Sequence, residues 1–340
     1  MNRRELLAAA AGTLIGVGAG ERAWAADAVF PGKEWETATP ASQHLTEPGL
    51  QAIRDLMQQT GTRAGLVVRG GKIVSEWFWE EATTLTRFPV YSCTKSFASV
   101  ACGFLEADGK LKLDQPAADF IPAWKEDDRK AVLVRHLLTM SSGQSKDEQT
   151  MYASSDKIGF ALAQKLQAPP GTKWDYNNIG CCALSAVIAK AAGEEMSAYL
   201  RRKLYVPLGI TQYSHEESSG HTVPYTGLEI TARDMARFGL FLRHEGRWKG
   251  KQLLPASYVQ AASTSSQELN KGYGYLFWVN AAGNYKDSPR DAFLARGAYG
   301  NELLIIPSRD LVIVRLLGTK PNAGIDVNKL GALAVAACSA

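Results

Sequence analysis

The sequence predicts an α+β fold in which both ends of the chain form one β-sheet and a helical section is inserted between them. Strand patterns occur near the start of the 340-residue chain, within residues 65–77, and return near its end, within residues 302–316. Helical patterns and loops dominate residues 83–284. Because the strands of one sheet lie together to bury a shared face, the two ends of the chain are expected to meet in space.

The first predicted strands form a hairpin. Residues 65–69 and 72–77 flank a Gly-Gly pair, which suits a tight hairpin turn. A helix is predicted before them, over residues 45–59. Residues 26–44 are largely polar and carry two prolines, which is typical of an extended leader.

The later elements follow in chain order. Helices are predicted over residues 132–140, 155–166, 180–192, 196–205 and 231–245, then strands over residues 302–306 and 311–316 and a helix over residues 325–338. This placement predicts one domain over residues 45–340. Its sheet subdomain comprises about residues 45–82 and 285–340, and its helical subdomain about residues 83–284.

Composition indicates a globular protein that needs no metal, cofactor or nucleic-acid partner. The chain is 46% hydrophobic, enough for a large core, and its formal charge of +4 comes from dispersed Lys and Arg. The five cysteines are odd in number, and they form neither a Cys-x-x-Cys motif nor a set with histidines at metal-ligand spacing. Neither a disulfide framework nor a metal site is predicted.

The first 25 residues are predicted to be an export signal. Arg3 and Arg4 precede the apolar residues 8–20, and residues 23–25 (Ala-Trp-Ala) form a small-x-small cleavage sequence. Paired arginines in this position are typical of twin-arginine signals. We therefore expect the twin-arginine export machinery to carry the protein to the periplasm, with cleavage after Ala25.

A serine and a lysine stand three residues apart at the start of an apolar helix. Ser92 and Lys95 fall on one helical face, and apolar residues recur at helical spacing over residues 97–105. Free N–H groups at a helix N-terminus favour developing negative charge, and a lysine one turn on is a candidate base for a serine nucleophile. Ser154 and Lys157 share this spacing, but no apolar stripe begins at Ser154. Ser92 is therefore the preferred nucleophile.

A second cluster carries a Tyr-x-Asn pattern. Tyr176 and Asn178 follow a proline-rich turn and precede the helix predicted from residue 180. A tyrosine beside a lysine can act as a general base. Residues 299–301 (Tyr-Gly-Asn) show the same pattern, so this motif by itself does not choose between them.

A third cluster lies just before the strand predicted at residues 302–306. Its small residues would let a substrate lie against the backbone of an edge strand, and the N–H of Ala298 can complete an oxyanion hole with the N–H of Ser92. Arg296 and Gly297 in the same cluster are candidate substrate-binding residues.

The order of the three clusters resembles that of the serine β-lactamase and penicillin-binding-protein superfamily, in particular its class C branch. The resemblance covers about residues 45–317 and extends to the segments at residues 108–111, 136–143, 170–172 and 207–209. It implies an antiparallel β-sheet flanked by helices with an inserted all-α subdomain. It also implies that Ser92 is the acylated nucleophile and that Lys95 and Tyr176 form the acid/base pair. Asn178 would contact an amide or carbonyl group of the substrate.

The third cluster departs from the family pattern at one position. β-Lactamases usually carry Lys-Thr-Gly there, and some relatives begin with histidine, whereas this chain has Ala295, Arg296 and Gly297. Side chains alternate along a strand, so Arg296 does not simply replace a lysine at position 295. The motif resembles that of relatives that cleave esters or linear amides, including 6-aminohexanoate-dimer hydrolases. The resemblance therefore implies an esterase or amidase for a small-molecule substrate.

Other functions remain as alternatives. A β-lactamase or a D-amino-acid peptidase would use the same nucleophile. A non-catalytic sensor that binds β-lactams or peptidoglycan belongs to a different class of protein, but it would not need serine, lysine and tyrosine together. An α/β-hydrolase is disfavoured because no Gly-x-Ser-x-Gly elbow occurs. Nothing in the sequence indicates an oligomeric state.

Overall fold

A six-stranded antiparallel β-sheet forms the centre of the protein in the computed structural model. The structure describes residues 28–317 and 324–339. The predicted α+β class, with an antiparallel sheet flanked by helices, is confirmed. The predicted export signal, residues 1–25, lies outside the described residues.

The described residues contain helices and strands in the following order. The α-helices are α1 (Glu47–Gln59), α2 (Thr94–Ala107), α3 (Val134–Leu138), α4 (Glu148–Ala153), α5 (Lys157–Ala163), α6 (Asn178–Ala192), α7 (Met196–Leu200), α8 (Val206–Leu208), α9 (Ala232–Arg243), α10 (Ala256–Ala262) and α11 (Val327–Ala336). The strands are β1 (Ala64–Arg69), β2 (Lys72–Phe78), β3 (Phe88–Pro89), β4 (Tyr213–His215), β5 (Glu217–Ser218), β6 (His221–Thr222), β7 (Leu228–Ile230), β8 (Arg247–Trp248), β9 (Lys251–Gln252), β10 (Trp278–Val279), β11 (Phe293–Gly297), β12 (Asn301–Ile306) and β13 (Leu311–Leu316). Short 3-10 turns lie at Ala41–Gln43, Tyr91–Cys93, Ala117–Asp119, Pro122–Glu126, Asp128–Ala131, Ala298–Gly300 and Pro307–Arg309, and a π-helical turn lies at Arg201–Tyr205.

The two ends of the chain meet in the central sheet, whose strand order is β10-β11-β12-β13-β1-β2. β1 pairs with β13 along its whole length and with β2 through the predicted hairpin. Gly70 and Gly71 form the hairpin turn with φ angles of +60° and +74°, a left-handed backbone that glycine adopts without a steric penalty. The Gly-Gly pair therefore forms the tight turn of the hairpin, as predicted.

Helices cover both faces of the sheet. On one face, Leu50 of α1 and Leu330 of α11 belong to the same apolar cluster as Ile313 of β13. On the other face, α9 packs against β12 and β13. The rings of Phe97 in α2 and Phe238 in α9 stack there with centroids 3.8 Å apart. Residues that alternate along the strands therefore pack into two separate hydrophobic cores, one on each face of the sheet.

The α2 helix is buried from Thr94 to Leu105 and packs against α6, α7 and β11. This burial fits the apolar stripe predicted after Ser92. The helix ends at Ala107, and Gly109 follows with φ +69°. Among the described residues, no helix is both long enough and apolar enough to cross a membrane.

The section inserted into the sheet is mostly helical but contains strands that the sequence did not predict. Strands β3, β7 and β4 form a second, three-stranded sheet, and β5–β6 and β8–β9 form small hairpins. These strands are only two or three residues long, too short to show a periodic pattern. The insert is therefore not purely α-helical, and α9 lies directly on the central sheet.

Candidate active site

Ser92 lies in the turn that leads into the buried helix α2. The 3-10 turn Tyr91–Cys93 is closed by Thr94, whose Oγ1 donates a hydrogen bond to the carbonyl of Tyr91 at 2.6 Å. Tyr91 has a φ of +49°, which is uncommon for a residue other than glycine. Ser92 is partly exposed, whereas the helix that follows is buried. The turn therefore presents the serine at the surface end of a core helix.

Lys95 contacts Ser92 directly. Its Nζ lies 2.8 Å from Ser92 Oγ and 2.8 Å from the carbonyl oxygen of Tyr225. The side chain of Lys95 is 1% exposed, and no salt bridge to it occurs within the described residues. The carbonyl of Tyr225 thus fixes the amine against the serine hydroxyl, so a proton can pass between the two groups.

The ring of Tyr176 lies beside the same amine. The ring centroid is 5.0 Å from Lys95 Nζ, and Trp278 stacks on the ring at 6.0 Å. In the part of the chain that the structure describes, no hydrogen bond joins the Tyr176 hydroxyl to Ser92 or Lys95. Catalytic hydrogen bonds are often long before substrate binds. The structure therefore brings Tyr176 next to the lysine but leaves its hydroxyl short of the serine.

Asn178 is the first residue of α6 and is held by two residues of α4. Its backbone N–H donates to Glu148 Oε1 at 2.7 Å, and its Nδ2 donates to Glu148 Oε2 at 3.1 Å and to Tyr152 Oη at 2.7 Å. The Tyr152 hydroxyl in turn donates to Glu148 Oε2 at 2.8 Å. The carboxyl group of Glu148 therefore accepts three hydrogen bonds. Asn178 is 9% exposed but Tyr152 is 42% exposed, so this network lies where the protein interior meets solvent.

The third cluster lies against the backbone that precedes the serine. A Cβ at Gly297 would lie 2.1 Å from the carbonyl oxygen of Val90, so only glycine allows β11 to pass here. Ala298 follows, and its carbonyl accepts a hydrogen bond from Asn301 Nδ2 at 2.7 Å. Gly297 therefore sets the distance between Ala298 and Ser92, the two residues predicted to form the oxyanion hole.

Arg296 does not line the cavity beside Ser92. Its Nε donates to Glu302 Oε1 at 3.0 Å, and its guanidinium lies 5.9 Å from the ring of Trp278. Burial raises the pKa of Glu302 to about 7 although Arg296 opposes this rise. Side chains alternate along β11, so the side chain of Arg296 points to the opposite face of the strand from that of Ala295. There the buried carboxyl group of Glu302 binds its guanidinium.

A cavity of about 310 Å³ opens beside Ser92. Its lining residues include no charged side chain and are Tyr91, Ser92, Tyr152, Asn178, Tyr225, Thr226 and Ala298. Burial raises the pKa of Tyr152 to about 12 and also raises the pKa of Tyr225. Both phenols therefore stay protonated near neutral pH. The cavity offers neutral polar groups and aromatic surface.

The competing motifs have other contacts. Lys157 pairs with Glu216 at 2.6 Å, and Ser154 Oγ donates to the carbonyl of Asp156 at 3.0 Å. In the second Tyr-x-Asn pattern, Asn301 is fully buried and supports the backbone of the neighbouring strands. Lys157 is therefore engaged by Glu216 and not by Ser154, and Asn301 has a structural role.

Cys93 follows the serine but is fully buried, and burial raises the pKa of its thiol well above the usual value. Within residues 28–317 and 324–339, no group of three or more His, Cys, Asp or Glu side chains is placed to hold a metal ion.

Three residues of the site were missed by the sequence analysis. The backbone carbonyl of Tyr225 accepts a hydrogen bond from Lys95, 130 positions away. Any residue type has this carbonyl group, so no sequence motif indicates the contact. Glu148 and Tyr152 are four residues apart, a spacing that places them on one helical face. That spacing could have suggested a pair, but it does not reveal Asn178 as their shared partner.

Comparisons with known proteins show the family and the fold of this chain. The family model described as Beta-lactamase matches residues 50–337. A 6-aminohexanoate-dimer hydrolase of Paenarthrobacter ureafaciens is 22% identical over 317 residues, covering 83% of this chain and 80% of that protein. A solved structure from Bacillus anthracis, provisionally named a 6-aminohexanoate-dimer hydrolase, aligns with a TM-score of 0.74 at 21% identity, over 89% of this chain and 86% of that one. The hydrolase EstCE1, described as having promiscuous acyltransferase activity, aligns with a TM-score of 0.69 at 17% identity, over 85% of this chain and 98% of that one.

Proposed function

Because the chain belongs to the beta-lactamase family, we propose that it is an exported serine hydrolase that cleaves carboxylic esters or linear amides through an acyl-enzyme on Ser92. The observation that carries this proposal is the 2.8 Å contact between Lys95 Nζ and Ser92 Oγ at the edge of an open cavity. A nucleophile and a base in hydrogen-bond contact are the minimum requirement for acyl transfer.

In the acylation step, Ser92 Oγ attacks the carbonyl carbon of the substrate and its proton passes to Lys95. Negative charge develops on the carbonyl oxygen, where the backbone N–H groups of Ser92 and Ala298 stabilise it. The bond to the leaving alcohol or amine then breaks, and that group takes up a proton through Tyr176. In the second step water attacks the acyl carbon and gives one proton to the Lys95 and Tyr176 pair. That proton passes to Ser92 Oγ as its bond to the acyl carbon breaks, and the carboxylic acid leaves.

The lining of the cavity supports a substrate that is neutral near the scissile bond. A β-lactam carries a carboxylate that needs a cation, but Ala295 replaces the usual lysine and Arg296 is paired with Glu302. A hydrogen bond to a charged group is worth about 1.5–3 kcal/mol, so its absence lowers the specificity for β-lactams about 10- to 100-fold. Esters and linear amides do not require this contact.

The decisive test of the nucleophile is covalent labelling with a fluorophosphonate. Ser92→Ala should abolish both labelling and hydrolysis of p-nitrophenyl butyrate in folded protein, whereas the matched variant Ser154→Ala should retain both. Labelling of the Ser92→Ala protein at the wild-type rate would overturn the assignment. Stable acylation of Ser92 by a β-lactam without release would instead identify a sensor.

The substrate class is tested by kcat/KM for p-nitrophenyl butyrate, a 6-aminohexanoate dimer and nitrocefin under the same conditions. We expect nitrocefin to be the poorest substrate of the three. If nitrocefin is hydrolysed faster than both others, the enzyme is a β-lactamase.

A further inference from the structure

Trp278 contacts residues on both faces of the central sheet. It lies in β10, the strand at one edge of that sheet, and packs against both hydrophobic cores. On the face that carries α2, its ring is within 19° of parallel to the ring of Tyr176, with centroids 6.0 Å apart. On the face that carries α1, the guanidinium of Arg296 lies 5.9 Å from its ring. One side chain at the sheet edge therefore connects Arg296 to Tyr176.

The side chain of Tyr176 is held by contacts of its ring. Besides Trp278, the ring of Tyr273 meets it edge-on at 6.3 Å, and the amine of Lys95 lies 5.0 Å from its centroid. Aromatic pairs at these distances favour stacked and edge-on geometries. Within the described residues, no hydrogen bond fixes the Tyr176 hydroxyl to Ser92 or Lys95. The ring contacts therefore decide where this hydroxyl group points.

Arg296 is itself held rigidly beside Trp278. Its Nε lies 3.0 Å and 3.1 Å from the two carboxyl oxygens of Glu302, which is 1% exposed and lies opposite it in the adjacent strand. A planar guanidinium suits both a carboxyl group and the face of an indole ring, and lysine does not replace it at such a position. The pair thus gives Trp278 a fixed neighbour.

On the basis of the hydrolase function proposed above, we propose that Trp278 is the positioning residue for Tyr176 and that Arg296 holds Trp278 in place. In acylation the bond from the acyl carbon to the leaving oxygen breaks, and its electron pair goes to that oxygen, which takes a proton from Tyr176. Lys95 then passes the proton of Ser92 to Tyr176. A misplaced hydroxyl group slows this step for an alkoxide, which needs the proton, but hardly for p-nitrophenolate, which leaves as a stable anion.

The test compares kcat/KM for ethyl butyrate and p-nitrophenyl butyrate, which share one acyl group. Both values cover the steps up to departure of the alcohol, so deacylation does not enter. In Trp278→Leu we expect the ratio of the ethyl to the p-nitrophenyl value to fall about 10- to 100-fold, because displacement of a catalytic group by about 1 Å has effects of this size. The p-nitrophenyl value should change by less than about 3-fold. Trp278→Phe keeps a flat ring and should hold the ratio within about 3-fold of wild type.

Matched variants separate this role from a structural one. Tyr176→Phe removes the proton donor and should lower the ratio at least as much as Trp278→Leu, and the double variant should lower it no further than Tyr176→Phe alone. Arg296→Lys keeps a positive charge opposite Glu302 but loses the flat contact with the indole, so the ratio should fall about 3- to 30-fold. Trp77→Leu, the same substitution at a half-buried position in β2, should leave both substrates unaffected.

The outcomes distinguish this inference from the function on which it rests. An unchanged ratio in a folded Trp278→Leu enzyme would overturn the inference, as would a further fall in the double variant. If thermal unfolding shows that Trp278→Leu does not fold, Arg296→Lys decides, and an unchanged ratio there overturns the inference. In each case fluorophosphonate labelling of Ser92 and hydrolysis of p-nitrophenyl butyrate would continue to support the serine hydrolase. Loss of both in the wild-type protein would overturn the hydrolase function as well.

Discussion

Gly297→Ala tests whether strand β11 must touch the backbone that precedes Ser92. A Cβ at position 297 would lie 2.1 Å from the carbonyl oxygen of Val90 and 3.1 Å from its carbonyl carbon. Both atoms belong to the backbone, so no side-chain rotation relieves the contact. A relaxed carbon–oxygen contact is about 1 Å longer. The strand and the turn at Ser92 must therefore move apart.

This movement should disturb the proposed oxyanion hole, because Ala298 directly follows the substituted residue. Loss of one oxyanion-hole donor typically lowers kcat about 10²–10³-fold. We expect Gly297→Ala to lower kcat for p-nitrophenyl butyrate by this amount, with a smaller change in KM. Overpacking of a tight contact also lowers the free energy of unfolding by about 1–3 kcal/mol.

Steady-state kinetics and thermal unfolding of the same preparation separate the two effects. Gly32→Ala is the control, because a Cβ there would be 3.9 Å from its nearest neighbour, the carbonyl oxygen of Glu34. It should leave kcat and the unfolding temperature unchanged. A folded Gly297→Ala enzyme with the wild-type kcat would refute the role of this contact.

Three further predictions concern the acid/base pair, pH and export. Tyr176→Phe should lower kcat about 10²–10⁴-fold, and Tyr299→Phe should lower it less; the reverse order would show that the wrong tyrosine was assigned. Burial lowers the pKa of His215 from 6.5 to about 4, so the unfolded chain binds a proton more readily and stability is lost as pH falls from about 6.5 to 4. His215→Gln should remove about 2 kcal/mol of that loss, measured by urea unfolding at pH 7 and pH 4.5, and an unchanged pH dependence would contradict it. Replacing Arg3 and Arg4 together by Lys should keep the protein in the cytoplasm; unaffected export would indicate the general secretory route.

Local chemistry explains why much of the fold was predictable. The Gly70 and Gly71 turn follows from the conformational freedom of glycine, and the α2 helix follows from its apolar spacing. Ser92 and Lys95 are three residues apart on that helix, so their contact needs no information from elsewhere in the chain. The pairing of the two chain ends also follows from the sequence, since isolated hairpins are only marginally stable.

The tertiary structure decided which residues surround Ser92 and Lys95. The carbonyl of Tyr225 reaches Lys95 across 130 positions, and Glu148 reaches Asn178 across 30. Arg296 is the clearest example of a contact that the sequence did not predict. Its partner is Glu302, which lies opposite it in the adjacent strand. The sequence by itself determined the contact between Ser92 and Lys95 and the helix that carries it, because these depend on short-range spacing. The polarity and charge of the cavity depend on which distant strands and helices come into contact, and only packing of the whole chain fixes that.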